Sequence, residues 1–297
     1  MIYFFFLLNS SLHNYADDNT ITATSNSIKN LVDILENESK IALVWLQNNK
    51  MIANPEKFHA IILRRGKFLT NHENVVFKIG DQTIKSEESV KLLGITIDNQ
   101  LNFNKHISSI CKKTSAQLNA LYRLKNFISF KAKKALAESF VFSNFNYCSL
   151  VWNFSSAESL NKINMIHKRT LRFVQDDFES SYEDLLLKSM KPSMNVLRLR
   201  QLCIEIFKSI NNISPSYMKQ IFILKESNRS VRSQYFQNLE IDTKQTVKFG
   251  SKSLSYLGPK IWNNLPLHIK NSANVNVFKK VIKFWDGEKC LCKSCRN

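Results

Sequence analysis

The chain has 297 residues, of which 44% are apolar and 22% charged, a composition typical of globular proteins that excludes a disordered chain. This length is sufficient for two domains with hydrophobic cores of their own. The net charge of +18 favours a polyanionic partner, and six dispersed cysteines exclude a disulfide framework and indicate a reducing compartment.

The excess positive charge lies in the later two-thirds of the chain. Residues 1–100 hold ten Lys and Arg against eleven Asp and Glu, whereas residues 101–297 hold 32 against 13. This distribution is expected if a catalytic piece is followed by a piece that binds phosphates. The alternative is a basic soluble protein whose charged faces are only solvated.

The first eight residues are apolar, but they fall well short of the ~20 residues that a membrane span needs. They also lack the basic segment that begins a signal peptide. We therefore predict a buried segment, with a signal peptide as the alternative. The expected location is intracellular, nuclear or cytoplasmic, without secretion and without a membrane partner.

Tyr15-Ala16-Asp17-Asp18 lies between two short alternating runs and predicts a β-hairpin with both acids at or beside its turn. Neighbouring side chains of a regular strand point to opposite faces, so a turn is what lets both carboxylates reach one place. Adjacent carboxylates repel each other unless a cation joins them, and hard oxygen ligands suit magnesium. The alternative is an ordinary solvated turn.

The elements up to residue 98 predict an α+β arrangement. Residues 26–50 have apolar side chains at helical spacing and predict an amphipathic helix. The strand predictions are a buried strand at 58–63, a hairpin across Gly80-Asp81 and a further strand at 92–97. A helix that covers such strands gives a layered α+β fold.

Long helices follow, predicted over residues 107–122, 130–147 and 157–174. In the third of these, apolar side chains cluster on one side of the helix and basic side chains on the other. The candidates for phosphate binding are Lys112, Lys113, Lys162, Lys168, Arg169 and Arg172. Such a face binds nucleic acid without reading its sequence, and a merely solvated face is the alternative.

The remaining chain is predicted to be mostly helical. Helices are expected at 180–190, 197–211 and 277–285, with a loop-rich connector at 225–255 and a turn at Gly258-Pro259. The tail carries three thiols, Cys290, Cys292 and Cys295, and no fourth ligand in the two residues after them. Structural zinc prefers four ligands, so we do not predict a closed zinc site, and the role of the thiols stays open.

The motifs of this chain, taken in order, carry a family resemblance. After Tyr15-Ala16-Asp17-Asp18 come Asn-Pro-Glu-Lys-Phe at 54–58, Val-Lys-Leu-Leu-Gly-Ile-Thr-Ile-Asp at 90–98, Leu-Asn-Phe at 101–103, His106-Ile107, Tyr147, Val151-Trp152, residues 163–172 and Tyr-Leu-Gly-Pro-Lys-Ile-Trp-Asn-Asn-Leu-Pro at 256–266. This ordered series covers nearly the whole chain and resembles the reverse transcriptases of non-LTR retrotransposons of the LINE and jockey type.

The resemblance implies a partial polymerase palm at 1–100, a helical thumb at 101–175 and a C-terminal helical region at 176–297. It implies RNA-templated DNA synthesis with two magnesium ions, which Asp17 and Asp18 would bind in catalysis. Lys57 matches a lysine near the departing pyrophosphate, where a cation neutralises charge or donates a proton. Leu93 and Gly94 match the segment that supports the primer end.

Polymerases of this family also use an aspartate from a strand before the hairpin, but residues 1–14 contain no acid. We therefore expect that aspartate and the fingers upstream of Met1, which makes the chain a fragment that is inactive alone. Its expected partners are an RNA template, a DNA primer or duplex and the missing polymerase half. The alternatives are a polymerase-dead remnant that binds nucleic acid and a decayed element without selected function.

Overall fold

The computed structural model describes residues 9–63, 75–153, 155–225, 238–242 and 253–287. The chain divides into two compact units, Met1–Phe103 and Asn104–Asn297. The predictions for residues 1–8, for most of 225–255 and for the cysteine tail lie outside the described residues. In the described part, no helix has the length and apolar character to cross a membrane. The α+β class is confirmed.

The first unit contains seven described strands in three small sheets. They are β1 (Ser11–Tyr15), β2 (Asp18–Thr22), β3 (Ala60–Ile61), β4 (Val76–Ile79), β5 (Gln82–Glu87), β6 (Ser89–Leu92) and β7 (Ile95–Asp98). β1 pairs with β2 and β6 with β7, both antiparallel. The middle sheet has the order β3–β5–β4, with β5 parallel to β3 and antiparallel to β4.

One long helix, α1 (Ile28–Asn48), packs against β4 and confirms the helix predicted at 26–50. Two of its acids bond to backbone groups instead of facing water. Glu36 Oε1 accepts the Lys78 N–H (2.7 Å), and the buried Glu38 accepts the Asn9 N–H through Oε1 (2.6 Å). Hydrogen bonds to charged groups contribute roughly 1.5–3 kcal/mol each, so these acids help to fix the helix on the sheet.

Two strand predictions need correction. The strand predicted at 92–97 is interrupted. Leu92 ends β6 and Ile95–Ile97 lie in β7, but Leu93 and Gly94 form a turn between them with φ values of 46° and 82°. Positive φ at both central residues is what a type I′ hairpin turn requires. The strand predicted at 58–63 is confined to Ala60–Ile61. The hairpin across Gly80-Asp81 is confirmed.

The second unit is helical in its described part. Its helices are α2 (Asn104–Arg123), α3 (Phe130–Leu136), α4 (Ser143–Asn146), α5 (Ser149–Trp152), α6 (Ala157–Gln175), α7 (Tyr182–Ser189), α8 (Met194–Ile210), α9 (Ser216–Lys219), α10 (Leu254–Asn263), α11 (Leu267–Lys270) and α12 (Val275–Val281). A π-helical segment, Ala137–Phe142, joins α3 to α4, and a 3₁₀ turn, Ile282–Phe284, extends α12. The predicted long helices are therefore confirmed, with boundaries shifted by a few residues.

The first helical core lies between α2 and α6, which run parallel. Ser159 Oγ donates to Asn104 Oδ1 (2.7 Å) where both helices begin, and Tyr122 Oη donates to the Arg169 carbonyl (2.9 Å) where both approach their ends. Fully buried side chains such as Leu118 and Ile163 fill the contact. Each such side chain contributes about 1.5–3 kcal/mol on leaving water.

A second core joins α8, α10 and α12. Phe278 stacks on Phe207 at 4.4 Å and on Trp262 at 6.0 Å between ring centroids, and all three are buried. Offset aromatic pairs add about 0.5–1.5 kcal/mol beyond their area. The Asn263 side chain forms hydrogen bonds with both the N–H and the C=O of Leu239 (2.8 and 2.9 Å), which attaches the segment around Leu239 to α10.

The turn predicted at Gly258-Pro259 is wrong, because both residues lie inside α10. Proline in a helix interior removes one hydrogen bond and clashes with the preceding turn, which normally costs ~3 kcal/mol. Burial of the following Ile261 and Trp262 outweighs this cost. Glycine is needed for packing, since a Cβ at Gly258 would lie 2.6 Å from Phe222 Cε1.

A buried histidine on α6 has an acid-sensitive environment. His167 Nδ1 lies 2.7 Å from Tyr182 Oη, and the Phe142 ring packs edge-on at 5.2 Å. Burial, together with the cations of Lys191 and Arg198, lowers the pKa of His167 from 6.5 to about 3. The imidazole is therefore neutral in the folded protein at neutral pH.

His167 should make stability fall in mild acid. Its folded pKa lies below the unfolded value of 6.5, so the unfolded chain takes up the proton first as pH falls. Its contribution is fully present above pH 6.5 and is lost toward pH 3. From pH 7 to 5, wild type should lose about 2 kcal/mol more unfolding free energy than His167→Gln, measured by urea denaturation. His268→Gln, at an exposed position, is the control, and parallel pH curves for wild type and His167→Gln would refute the assignment.

Candidate functional site

The two predicted metal ligands lie at the tip of the β1–β2 hairpin. Tyr15 pairs with Asp18, which leaves Ala16 and Asp17 as a two-residue turn. Ala16 has a φ of 54°, the positive value that primed hairpin turns place at their first central residue. The predicted hairpin, with its acids at and beside the turn, is present.

Both carboxylates are exposed, and cross-strand contacts fix the ribbon that carries them. His13 Nε2 lies 3.1 Å from Thr22 Oγ1, and Asn19 Nδ2 donates to the Asp17 carbonyl (3.3 Å). Magnesium commonly binds one or two protein carboxylates and completes its octahedron with water and phosphate oxygens. Asp17 and Asp18 fit such a partial ligand set.

A complete protein cage for a metal is not found among the described residues, where no three His, Cys, Asp or Glu side chains group suitably. The hairpin therefore offers an open carboxylate pair whose other ligands must come from elsewhere. The metal-binding and catalytic roles of Asp17 and Asp18 stay predictions.

Lys57 ends a single 3₁₀ turn, Pro55–Lys57, in the first unit. Asn54 begins this turn, and its Oδ1 accepts the Glu56 N–H (3.0 Å). The Lys57 side chain is exposed, and among the described ion pairs none joins it to Asp17 or Asp18. If Lys57 acts together with Asp17 and Asp18, a substrate phosphate would have to connect its ammonium group to their carboxylates. The role of Lys57 therefore also stays a prediction.

Leu93 and Gly94 lie at the tip of the β6–β7 hairpin. Both have positive φ, and the Leu93 side chain is exposed. A glycine at such a tip leaves room for another backbone to approach closely. This position is compatible with the predicted support of a primer end, and nothing in the geometry tests it further.

Asp98 is a structural residue that the sequence motif did not distinguish. It is buried at the end of β7 and accepts three backbone N–H bonds, from Gln100 (3.1 Å), Asn102 (3.1 Å) and Phe103 (2.7 Å). These bonds hold a turn in which Leu101 and Phe103 have positive φ. Asp followed by polar residues is a turn signal that could have identified this role.

The predicted basic face of α6 is present, but its side chains differ in their surroundings. Lys162 is exposed, whereas Lys168 and Arg172 are half-buried. Arg169 Nη2 donates to Asn119 Oδ1 on α2 (2.9 Å). These arginines therefore contribute to packing as well as to charge.

Lys112 and Lys162 lie at the same level of the seam between α2 and α6. Asn119 and Arg169 are bonded to each other across the two helices. Lys112 lies seven residues before Asn119, and Lys162 lies seven residues before Arg169, which is two turns or about 10 Å along each helix. Burial raises the pKa of the adjacent Cys111 thiol to about 11, and the Lys162 cation opposes that shift. Helix geometry therefore places Lys112, Lys162 and Arg169 along this seam, and Lys113, which follows Lys112 at 100° around α2, is also exposed.

Sequence comparison identifies two similar proteins of Drosophila melanogaster. The chain is 26% identical over 163 residues to the RNA-directed DNA polymerase from mobile element jockey, and the match covers 53% of this chain and 17% of that protein. It is 25% identical over 170 residues to the probable RNA-directed DNA polymerase from transposon BS, covering 56% of this chain and 18% of that protein. No family model matches the chain, and no solved structure matches it.

These comparisons confirm the resemblance to non-LTR retrotransposon reverse transcriptases. The chain spans less than a fifth of the length of either relative. The α+β class agrees with the prediction, and the finer division into palm, thumb and C-terminal region stays a prediction.

Proposed function

We propose that this chain, similar to RNA-directed DNA polymerases of mobile elements, is the end of the palm, the thumb and the C-terminal region of a non-LTR reverse transcriptase. The observation that carries the proposal is the exposed Asp17-Asp18 pair at a two-residue turn. This pair occurs in a chain that is similar to the two RNA-directed DNA polymerases described above. RNA-directed DNA synthesis, the activity in the names of both relatives, is proposed as the activity to which this chain contributes. The proposed location is intracellular.

In this proposal, the carboxylates of Asp17 and Asp18 would hold magnesium, which would supply charge stabilisation for nucleotide transfer. The tight hairpin turn keeps both carboxylates at the surface, where a nucleotide can reach them. Lys57 binds the departing pyrophosphate through its exposed ammonium group, which neutralises charge that develops there. The Leu93-Gly94 turn supports the end of the primer.

The second unit binds the template–primer duplex through its phosphates. Lys112 and Lys162 are exposed along the α2–α6 seam, with Arg169 two turns beyond Lys162, and Lys113 is exposed on α2 next to Lys112 in the sequence. Ammonium groups on such a seam release counterions from the phosphate backbone and gain affinity without reading sequence. The partners are then an RNA template and a DNA primer.

The chain alone should not extend a primer. Two carboxylates are an incomplete set for two metals, and the described residues supply no third close to them. We expect no product from the chain with magnesium, primer and RNA template, and product once the upstream segment of the jockey polymerase is joined in cis. Extension by the chain alone that disappears in Asp17→Asn would contradict the inactivity, and no product from the joined protein would contradict the polymerase assignment.

A polymerase-dead protein that binds nucleic acid is the second candidate. The basic α2–α6 seam favours it, because phosphate binding there needs no complete metal site. Template binding by a joined protein that is folded but never extends a primer would select this candidate.

A further inference from the structure

The turn between α2 and α3 presents two phenylalanines to solvent. Phe127 is 85% exposed and Phe130 is 63% exposed. The backbone that carries them is ordered, because the Phe127 N–H donates to the Leu124 carbonyl (2.9 Å) and Ser129 Oγ accepts the Ala132 N–H (3.3 Å) at the start of α3. Two exposed aromatic side chains three residues apart offer a small apolar site that a partner could cover.

The segment that carries these rings has charge of one sign along the sequence, and its Lys133 pairs with Asp176 from the end of α6. Residues 99–137 contain eight Lys and Arg and no Asp or Glu. Arg123, Lys131 and Lys134 are exposed, and Lys125 Nζ lies 5.1 Å from the ring centroid of the exposed Phe178. Cations and accessible aromatic rings therefore share one stretch of surface. A polyanion with exposed π-faces complements both features.

We propose that this α2–α3 surface, formed by Arg123, Lys125, Phe127, Phe130, Lys131 and Lys134, binds single-stranded nucleic acid. Unpaired bases stack on the phenylalanine rings while the basic side chains follow the phosphates. Duplex bases already stack on one another and cannot use these rings. The inference goes beyond the proposed duplex binding at the α2–α6 seam, because it concerns unpaired bases and other residues.

Charge and size favour this occupant over a lipid surface. An amphipathic helix that binds a bilayer lays a long apolar face into it, whereas this surface offers two rings on a turn of a few residues. Stacking is tolerant of sequence because every base has a π-face. The surface should therefore bind RNA and DNA single strands of different composition with similar affinity.

The test uses the full chain and short labelled oligouridine, oligothymidine and a duplex of equal length. Phe127→Ala/Phe130→Ala should raise the Kd for both single strands by at least about 5- to 150-fold, the effect of losing a single stacked base. The duplex Kd should change by less than about twofold, and the salt slope should stay the same because no charge is removed. The matched control is Leu187→Ala/Tyr217→Ala, whose side chains are 76% and 63% exposed on other helices.

Two further variants separate stacking from general hydrophobic contact. Phe127→Leu/Phe130→Leu should lose single-strand binding as the alanine variant does, and Phe127→Trp/Phe130→Trp should retain it, because only the aromatic variant keeps a π-face. Full binding by the leucine variant, or equal losses on single strand and duplex, would overturn the inference. The inference would also be overturned if the alanine variant bound single strands as tightly as the wild type does but bound less to anionic vesicles. In each of these cases, duplex binding that depends on Lys112 and Lys162 would leave the proposed function intact.

Discussion

Replacing Asp17 and Asp18 by asparagine should reduce primer extension by about 10³-fold once the chain is joined to an upstream polymerase segment. Metal ions contribute several kcal/mol of charge stabilisation in the transition state, and each 1.36 kcal/mol is a tenfold change in rate. Asparagine keeps the size of the side chain and removes the charge that, in the proposed function, binds the metal. The loss should appear in turnover more than in apparent nucleotide affinity.

The chain offers a closely matched control for this experiment. Asp81 is also an exposed aspartate in a two-residue hairpin turn, between β4 and β5 of the same unit. Asp81→Asn should leave turnover within about twofold of the parent, since a surface charge away from the metals changes little. Full turnover by the Asp17→Asn/Asp18→Asn variant would show that the hairpin is only structural.

Lys57→Ala should cause a smaller loss than the aspartate changes, about 10- to 10²-fold. In the proposed function Lys57 assists by neutralising charge at the pyrophosphate and does not hold the metals. Full general acid catalysis contributes about 10²–10⁴-fold, so a group that only assists should lie at or below the lower end of that range. Lys85→Ala, at an exposed position of β5, is the control. A loss equal to that of the aspartate variant would assign Lys57 a larger role than assistance.

Changing Lys112, Lys113 and Lys162 to glutamine should weaken duplex binding on all sequences alike. If each ammonium neutralises one phosphate, the plot of log affinity against log salt should become shallower by about two to three units. Glutamine keeps length and helix propensity. All three lysines are exposed, and the ion pair described for Lys162 is with Glu158 one turn away (3.0 Å), a contact worth about 0.3–0.5 kcal/mol.

These lysines are better targets than the arginines of α6. Arg169 bonds to Asn119 and Arg172 is half-buried, so their replacement would disturb packing together with charge. The charge-matched control is Lys279→Gln/Lys280→Gln/Lys283→Gln, three exposed lysines at the end of the same unit. Circular dichroism should show that both triple variants remain folded. An unchanged salt slope in the folded seam variant would mean that the seam is merely solvated.

The sequence by itself determined the elements whose signals are local. Alternating residues around Tyr15-Ala16-Asp17-Asp18 predicted the hairpin, and helical spacing predicted α1, α2, α6 and α8. Order along the chain then predicted the family resemblance that the two Drosophila relatives confirm. The separation of the basic and apolar sides of α6 was also predictable, because 100° per residue fixes the angular position of each side chain.

Only the tertiary structure decided features that depend on distant neighbours. Glu38 looked like a solvent-facing acid of an amphipathic helix, yet it is buried against the Asn9 N–H. Pro259 looked like a helix breaker, yet burial of the residues that follow it keeps it inside α10. In each case a local propensity of a few kcal/mol is outweighed by contacts between residues far apart in the sequence.

Because distant neighbours decide the surroundings of a side chain, the sequence alone could not distinguish among the basic residues of α6. Their charge and helical position are local properties, but their surroundings depend on the fold. Arg169 is exposed but bonds to Asn119 of α2, Lys168 and Arg172 are half-buried, and Lys162 is exposed. The tip at Leu93-Gly94 was read as strand because leucine rarely adopts positive φ. Pairing of β6 with β7 imposes that conformation, and a pairing partner is a property of the folded chain and not of any single segment.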